Sequence, residues 1–152
     1  MLRPEAHAIL AAAAATWPPA RVWQQGPFLL REGRGGGKRV SAASAIETAN
    51  TDDIARAEAS MRAVGETPLF LIEQGVKNIT LDLLLETRGY AVVDPVVVLA
   101  ARLPLCSDAA VGIVTETRWP TTAAVRRLWS IAGIGPGRRA VPARRPRSRW
   151  WR

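Results

Sequence analysis

The chain has 152 residues, 48% hydrophobic and 22% charged; that length carries one core without staples, and the composition is that of a soluble α/β or α+β protein. One cysteine, Cys106, excludes a disulfide framework and a thiolate zinc site, and one histidine obliges any His-based metal centre or Ser-His-Asp triad to use His7, close to a terminus. The formal net charge is +8, but seven of the 21 basic residues are the arginines of "RRAVPARRPRSRWWR" at 138–152, which leaves 14 basic against 13 acidic residues elsewhere and argues against nucleic acid as the partner of the body.

"MLRPEAHAILAAAAATWPPA" opens the chain. No run reaches the roughly 18 apolar residues of a membrane span. Glu5 and His7 interrupt the segment and alanine makes a weak signal-peptide core, so the reading is an alanine-rich helix opened by Pro4, and a cytoplasmic protein is expected. Next stand two strands, Pro27 to Glu32 and Lys38 to Ser44, joined by "GRGGG". That loop resembles a phosphate cradle but meets neither nucleotide pattern: a P-loop ending at Gly37 and Lys38 would need Gly where Glu32 stands and a hydroxyl where Arg39 stands. A dinucleotide fingerprint would need Gly in place of Lys38, and a helix after it. The plainer expectation is an antiparallel pair whose glycines supply positive φ. The alternative is a cofactor-contacting loop, with Gly36, Gly37, Lys38 and Arg39 as its candidate binding residues.

"TDDIARAEASMRAVG" reads as a helix capped by Thr51 or Asp52 and stopped by Gly65, with Ile54, Ala57, Met61 and Val64 on its apolar face and Glu58 paired with Arg62 on the other. "PLFLIEQ" reads as a strand buried on both faces inside the sheet. "NITLDLLLETRGY" is a helix from a Thr80 cap to Gly89 that buries Leu81, Leu84 and Leu85, and "YAVVDPVVVLAAR" a strand demoted in its first half by Pro95. "AVGIVTE" follows as a strand. "WPTTAAVRRLWSIAGIG" is a helix from Pro120 to Gly133 with Val125, Leu128, Trp129 and Ala132 as its stripe, and no regular element is expected after Gly137. The order gives an α/β (α+β) protein with a mixed, largely antiparallel sheet and packed helices.

Three stretches, "GPFLLREGRGGGKRVSAAS", "DDIARAEASMRAVGETPLFLIEQ" and "LDLLLETRGYAVVDPVVV", resemble the GNAT superfamily of acetyl-CoA-dependent N-acetyltransferases. The last is similar to that family's helix-Gly-aromatic-strand module. The resemblance implies an acyl-CoA N-acyltransferase-like fold, acetyl-CoA as cofactor, and transfer of its acetyl group to an amine. It is similar in particular to the degenerate N-terminal half of longer bacterial members. On that alignment residues 1–20 are a leading helix and linker, 21–104 a half domain and 105–137 the start of a second half, so the chain reads as truncated.

The family holds the cofactor pyrophosphate with a Q/R-x-x-G-x-G/A loop at a helix N-terminus. Here "AIETANT" stands there without a glycine, followed by Asp52 and Asp53. The family's proton-donating Tyr falls on Leu85, and Tyr90 matches the core-packing aromatic of the Gly-aromatic pair. Glu32, Glu73 and Glu86 are the carboxylates available as a base, each equally a solvated surface residue. The loss of periodicity inside a matched region gives the expectation that residues 138–152 are a disordered basic tail translated out of frame. Two other readings compete with a transferase. One is a non-catalytic module that packs on a catalytic half or self-associates through an uncovered sheet edge near "VTETRWP". The other is an Arg/Trp tail that binds nucleic acid or an anionic membrane.

Overall fold

A two-residue turn begins the sheet. In the computed structural model, which describes residues 5–75, 78–99 and 121–144, helix α1 (Ala6–Thr16) precedes strands β1 (Arg21–Gln25) and β2 (Phe28–Glu32). Gly26, at φ 56°, and Pro27 join them in a tight hairpin in register from Gln25↔Phe28 to Arg21↔Glu32. Strand β1 is a finding beyond the sequence reading, which started the sheet at Pro27. The short strand β3 (Ser44–Ala45) pairs antiparallel with Phe28 and Leu29 on the other side of β2. The glycine loop therefore does link antiparallel neighbours, but the expected strand over Lys38 to Ser44 is wrong for most of its length. Lys38–Val40 is a 3-10 turn, opened by Gly37 at φ 99° and closed by the Ser41 N–H on the Lys38 carbonyl at 3.1 Å. Turning inward lets Val40 bury its side chain completely, which a two-sided edge strand would not.

Helix α2 (Thr51–Ala63) is capped by Asn50, and the expected caps Thr51 and Asp52 lie in its first turn. Its face Ile54, Ala57 and Met61 closes on Phe28, Leu30 and Ala43 of the sheet side, and Leu81 and Leu85 of helix α3 (Ile79–Thr87) complete the core. Phe70 bridges the layers, edge to face with Phe28 at 5.3 Å and with Tyr90 at 5.4 Å. The segment around Phe70 is not a strand inside the sheet. It makes one parallel bridge, Ala43↔Phe70, through bonds from the Ala43 N–H to Leu69 and from the Leu71 N–H to Ala43. β3 is only two residues long, so the ladder ends there, and Leu71 is left 43% exposed.

The run after Gly89 is also not a strand as far as it is described: Asp94 takes a φ of 52° before Pro95, and Val92, Val96, Val97 and Leu99 are 77–88% exposed. Its residues 100–102, the "AVGIVTE" strand and Pro120 lie outside the described residues. Helix α4 (Ala123–Ile131), capped by the Thr122 hydroxyl, carries Val125, Leu128 and Trp129 of the expected stripe, with Ala132 at its C-cap, but buries none of them, and Leu128 and Ile131 face solvent. No element is expected after Gly137, yet the chain forms helix α5 (Pro136–Ala140), which runs across that glycine, and a 3-10 turn (Val141–Arg144). Pro136 and Gly135 supply a helix start there, and Val141 is fully buried.

Helices α2, α3 and α4 end alike. Gly65, Gly89 and Gly133 take positive φ at the C′ position, and the next N–H returns to the carbonyl five residues back: Glu66 to Met61 at 3.0 Å, Tyr90 to Leu85 at 3.0 Å and Ile134 to Trp129 at 2.8 Å. The described residues thus form an α+β protein with a three-stranded antiparallel sheet and five helices, none long and apolar enough to cross a membrane.

Candidate functional site

The C″ residue of each Schellman motif is aimed by its backbone bond, and at α2 that residue is Glu66. Its Oε1 accepts from the N–H groups of Gly33 at 2.7 Å and Arg34 at 3.0 Å, at the foot of the glycine loop. Successive N–H groups turned to one point, with Arg34 at φ 49°, make an anion nest. The loop does cradle an anion, and the anion is the chain's own carboxylate.

The opposite side of the loop is closed by the C-terminal segment. Arg144 Nη1 donates to the Gly33 carbonyl at 3.0 Å. A Cβ at Gly36 would lie 2.6 Å from Val141 Cγ2 and 2.7 Å from Val40 Cγ2, and one at Gly137 would lie 2.6 Å from the Arg34 carbonyl oxygen. These glycines are required by close approach. Beside the loop runs a groove of about 610 Å³ whose walls include Glu32, Arg34, Lys38, Ser41, Glu66 and Thr67. Of the four candidate binding residues, Gly37 and Lys38 reach this groove, Gly36 is covered by Val141, and Arg39 is exposed. Lys38 Nζ is paired with Asp94 Oδ2 at 2.6 Å. Glu32 is paired with Arg34 at 2.6 Å, and that bond raises the Arg34 pKa.

The N-terminus of α2, where the resemblance implies a cofactor pyrophosphate, is filled by side chains. Asn50 Oδ1 accepts from the N–H groups of Asp52 at 2.9 Å and Asp53 at 3.0 Å, and Asp53 Oδ2 accepts from the Asn50 N–H at 3.0 Å. The bond from Asn50 holds the Asp53 carboxyl below its ordinary pKa, with a further contribution from its pairing with Arg56. Donors already used and two carboxylates beside them do not fit a pyrophosphate.

A third cluster joins α2 to the end of α3. Glu58 is buried; its Oε1 accepts from Arg88 Nε at 3.1 Å and from the Tyr90 hydroxyl at 3.0 Å, and its Oε2 from Arg88 Nη2 at 3.1 Å. Tyr90 is the C″ residue of α3, so the turn that ends that helix also delivers its hydroxyl. The Arg88 fork lowers the Glu58 pKa, against burial, and the Tyr90 bond adds to it. Burial, and then the bond to Glu58, push the Tyr90 phenol up to about 12. With a fourth bond from Arg62 Nη1 to Oε2 at 3.5 Å, donors surround the Glu58 carboxylate, which leaves it poorly placed to take a proton as a base. The cluster ties two helices together at the edge of an open cleft of about 440 Å³.

Leu85 is in the core, Glu86 is exposed and Glu73 is half-buried. Cys106 lies outside the described residues. Among the described residues no three His, Cys, Asp or Glu side chains converge to hold a metal ion. The sequence reading missed Glu66, and it paired Glu58 with Arg62, a bond present at 3.5 Å, but placed Glu58 on the outer face, whereas it is buried. Glu58 had a signal, since 54, 57, 58 and 61 fall on one helical arc; Glu66 had none, because its partners lie more than 30 residues away. The chain matches no protein-family model, no curated protein and no solved structure.

Proposed function

We propose that the chain is an acyl-CoA N-acyltransferase-like unit without transfer chemistry of its own, a degenerate half that acts by packing against a protein partner. The observation that carries this reading is the closed N-terminus of α2: Asn50 and Asp53 consume the N–H groups on which an acyl-CoA pyrophosphate would rest. The order of β1, β2, β3, α2 and α3, with the parallel bridge at Phe70 after α2, supports the descent. Leu85 in the core leaves no proton donor at the matching position. The exposed valines of 91–99, strand-forming residues without a ladder partner among the described residues, are the surface the packing would use. Isothermal titration of the folded chain with acetyl-CoA tests the reading. No heat of binding is expected, and a micromolar dissociation constant would overturn it.

Acetyl transfer from acetyl-CoA to an amine is the second reading, favoured by the groove that Gly37 and Lys38 line. It requires binding that a Lys38→Ala, Arg39→Ala double variant loses.

A further inference from the structure

Residues 136–144 come from the basic, proline-rich end of the chain, yet they meet the glycine loop at three points. Val141 has no exposed surface and lies against the Cα of Gly36 beside Val40. Gly137 approaches the carbonyls of Arg34 and Gly35 so closely that only a glycine fits. Arg144 donates to the Gly33 carbonyl at 3.0 Å.

The attachment is nonetheless narrow. The core cluster of Phe28, Leu30, Ile54, Met61, Leu81 and their neighbours contains no residue from 121–144. Neither α4 nor α5 buries a side chain. Arg139 of α5 bonds to Ser130 and to the Arg126 carbonyl of α4, so the two helices hold to each other. The body has its own core, and among the described residues the segment 136–144 meets the glycine loop through the buried Val141 side chain, the close approach of Gly137 and the Arg144 bond.

We propose that residues 136–144 are a releasable strap on the glycine loop: seated, they fix Gly33 to Gly37 and thereby one wall of the groove that Arg34, Gly35, Gly37 and Lys38 line; lifted, they free that wall and uncover the seat between Gly36 and Val40. The strap lifts as a local opening, at a free energy below that of global unfolding, because the contacts it breaks lie outside the core cluster.

Hydrogen exchange followed by mass spectrometry on the full chain tests it, comparing the natural protein with Val141→Asp and the milder Val141→Ala. In Val141→Asp, peptides covering 33–42 exchange about tenfold faster or more, while peptides within 51–63 and 81–87 keep their natural rates. Val141→Ala gives a smaller change confined to the same peptides. Unchanged exchange over 33–42 in both variants would overturn the strap, because the segment would then not hold the loop. Equal acceleration of 51–63 in both variants, or a Val141→Asp chain that does not fold, would overturn it the other way by making Val141 part of the core.

Discussion

Replacing Glu66 with Ala removes the carboxylate from the nest and leaves two N–H groups without their acceptor. They are not equivalent: Gly33 is buried and its bond is the shorter, 2.7 Å, whereas Arg34 is exposed and water can replace a bond of 3.0 Å. An orphaned buried donor costs about 1–3 kcal/mol, and the exposed one nearly nothing, so the expected loss for Glu66→Ala is about 2 kcal/mol. Glu66→Gln keeps an acceptor oxygen without the charge and is expected to lose about half as much. At this chain length about 2 kcal/mol lowers Tm by about 4–8 °C, which a two-state thermal melt resolves. The emptied nest should also accept a free anion. Inorganic phosphate at about 50 mM, bound at about 20 mM, would return some 0.7 kcal/mol to the Ala variant beyond its general effect on the natural chain. A loss below about 0.5 kcal/mol, or equal phosphate responses in the two proteins, would refute the reasoning that the loop is built around Glu66.

The chain has one tyrosine, so absorbance reads Tyr90 alone, and its phenol is expected to ionise at about 12 in the folded protein against an ordinary 10.0; ionisation near 10 would contradict the burial and the bond to Glu58. Because that value is raised on folding, the contribution of Tyr90 to stability is complete below pH 10.0 and is lost as pH rises towards about 12, seen as a falling Tm. Glu58 has the opposite sign: its lowered pKa contributes stability that is full above 4.5 and is lost as pH falls through the lower folded value, so Glu58→Gln should flatten the acid limb of a Tm-against-pH curve and bring the Tyr90 titration back towards 10.0. Met61, with no exposed surface, should cost about 2–5 kcal/mol on replacement by Ala in urea unfolding at unchanged m, and a cost under 1 kcal/mol would remove it from the core.

Much of the fold was legible where local physics decides it. Ile54, Ala57 and Met61 repeat at helical spacing, and Gly65, Gly89 and Gly133 stand where the helices must stop, so α2, α3 and α4 are readable as sequence. The same arc carried Glu58 inward, a placement overlooked because a glutamate four residues before an arginine suggests a surface pair. Its fuller set of donors comes from Arg88 and Tyr90, about 30 residues on. Strand β1 was hidden because "RVWQQ" is short and half polar, and only pairing with β2 makes it a strand. The valines of 91–99 show the converse: strand propensity without a partner among the described residues gives no ladder there, and Asp94 at positive φ before Pro95 breaks the run. The candidate site depended most on distant contacts. Nothing local links Glu66 to Gly33, or Val141 to Gly36, so a loop that reads as an open phosphate cradle is held on one side by Glu66 and on the other by the chain's own end.

Among the described residues, the N–H groups at the foot of the glycine loop and at the N-terminus of α2 already hold the chain's own side chains. Amide chemical shifts followed by two-dimensional NMR during addition of acetyl-CoA test it residue by residue. The N–H signals of Gly33, Arg34, Asp52 and Asp53 are expected to stay in place up to millimolar ligand. Saturable shifts at Asp52 and Asp53, or at Gly33 and Arg34, would contradict it and identify which of the two sites takes the cofactor.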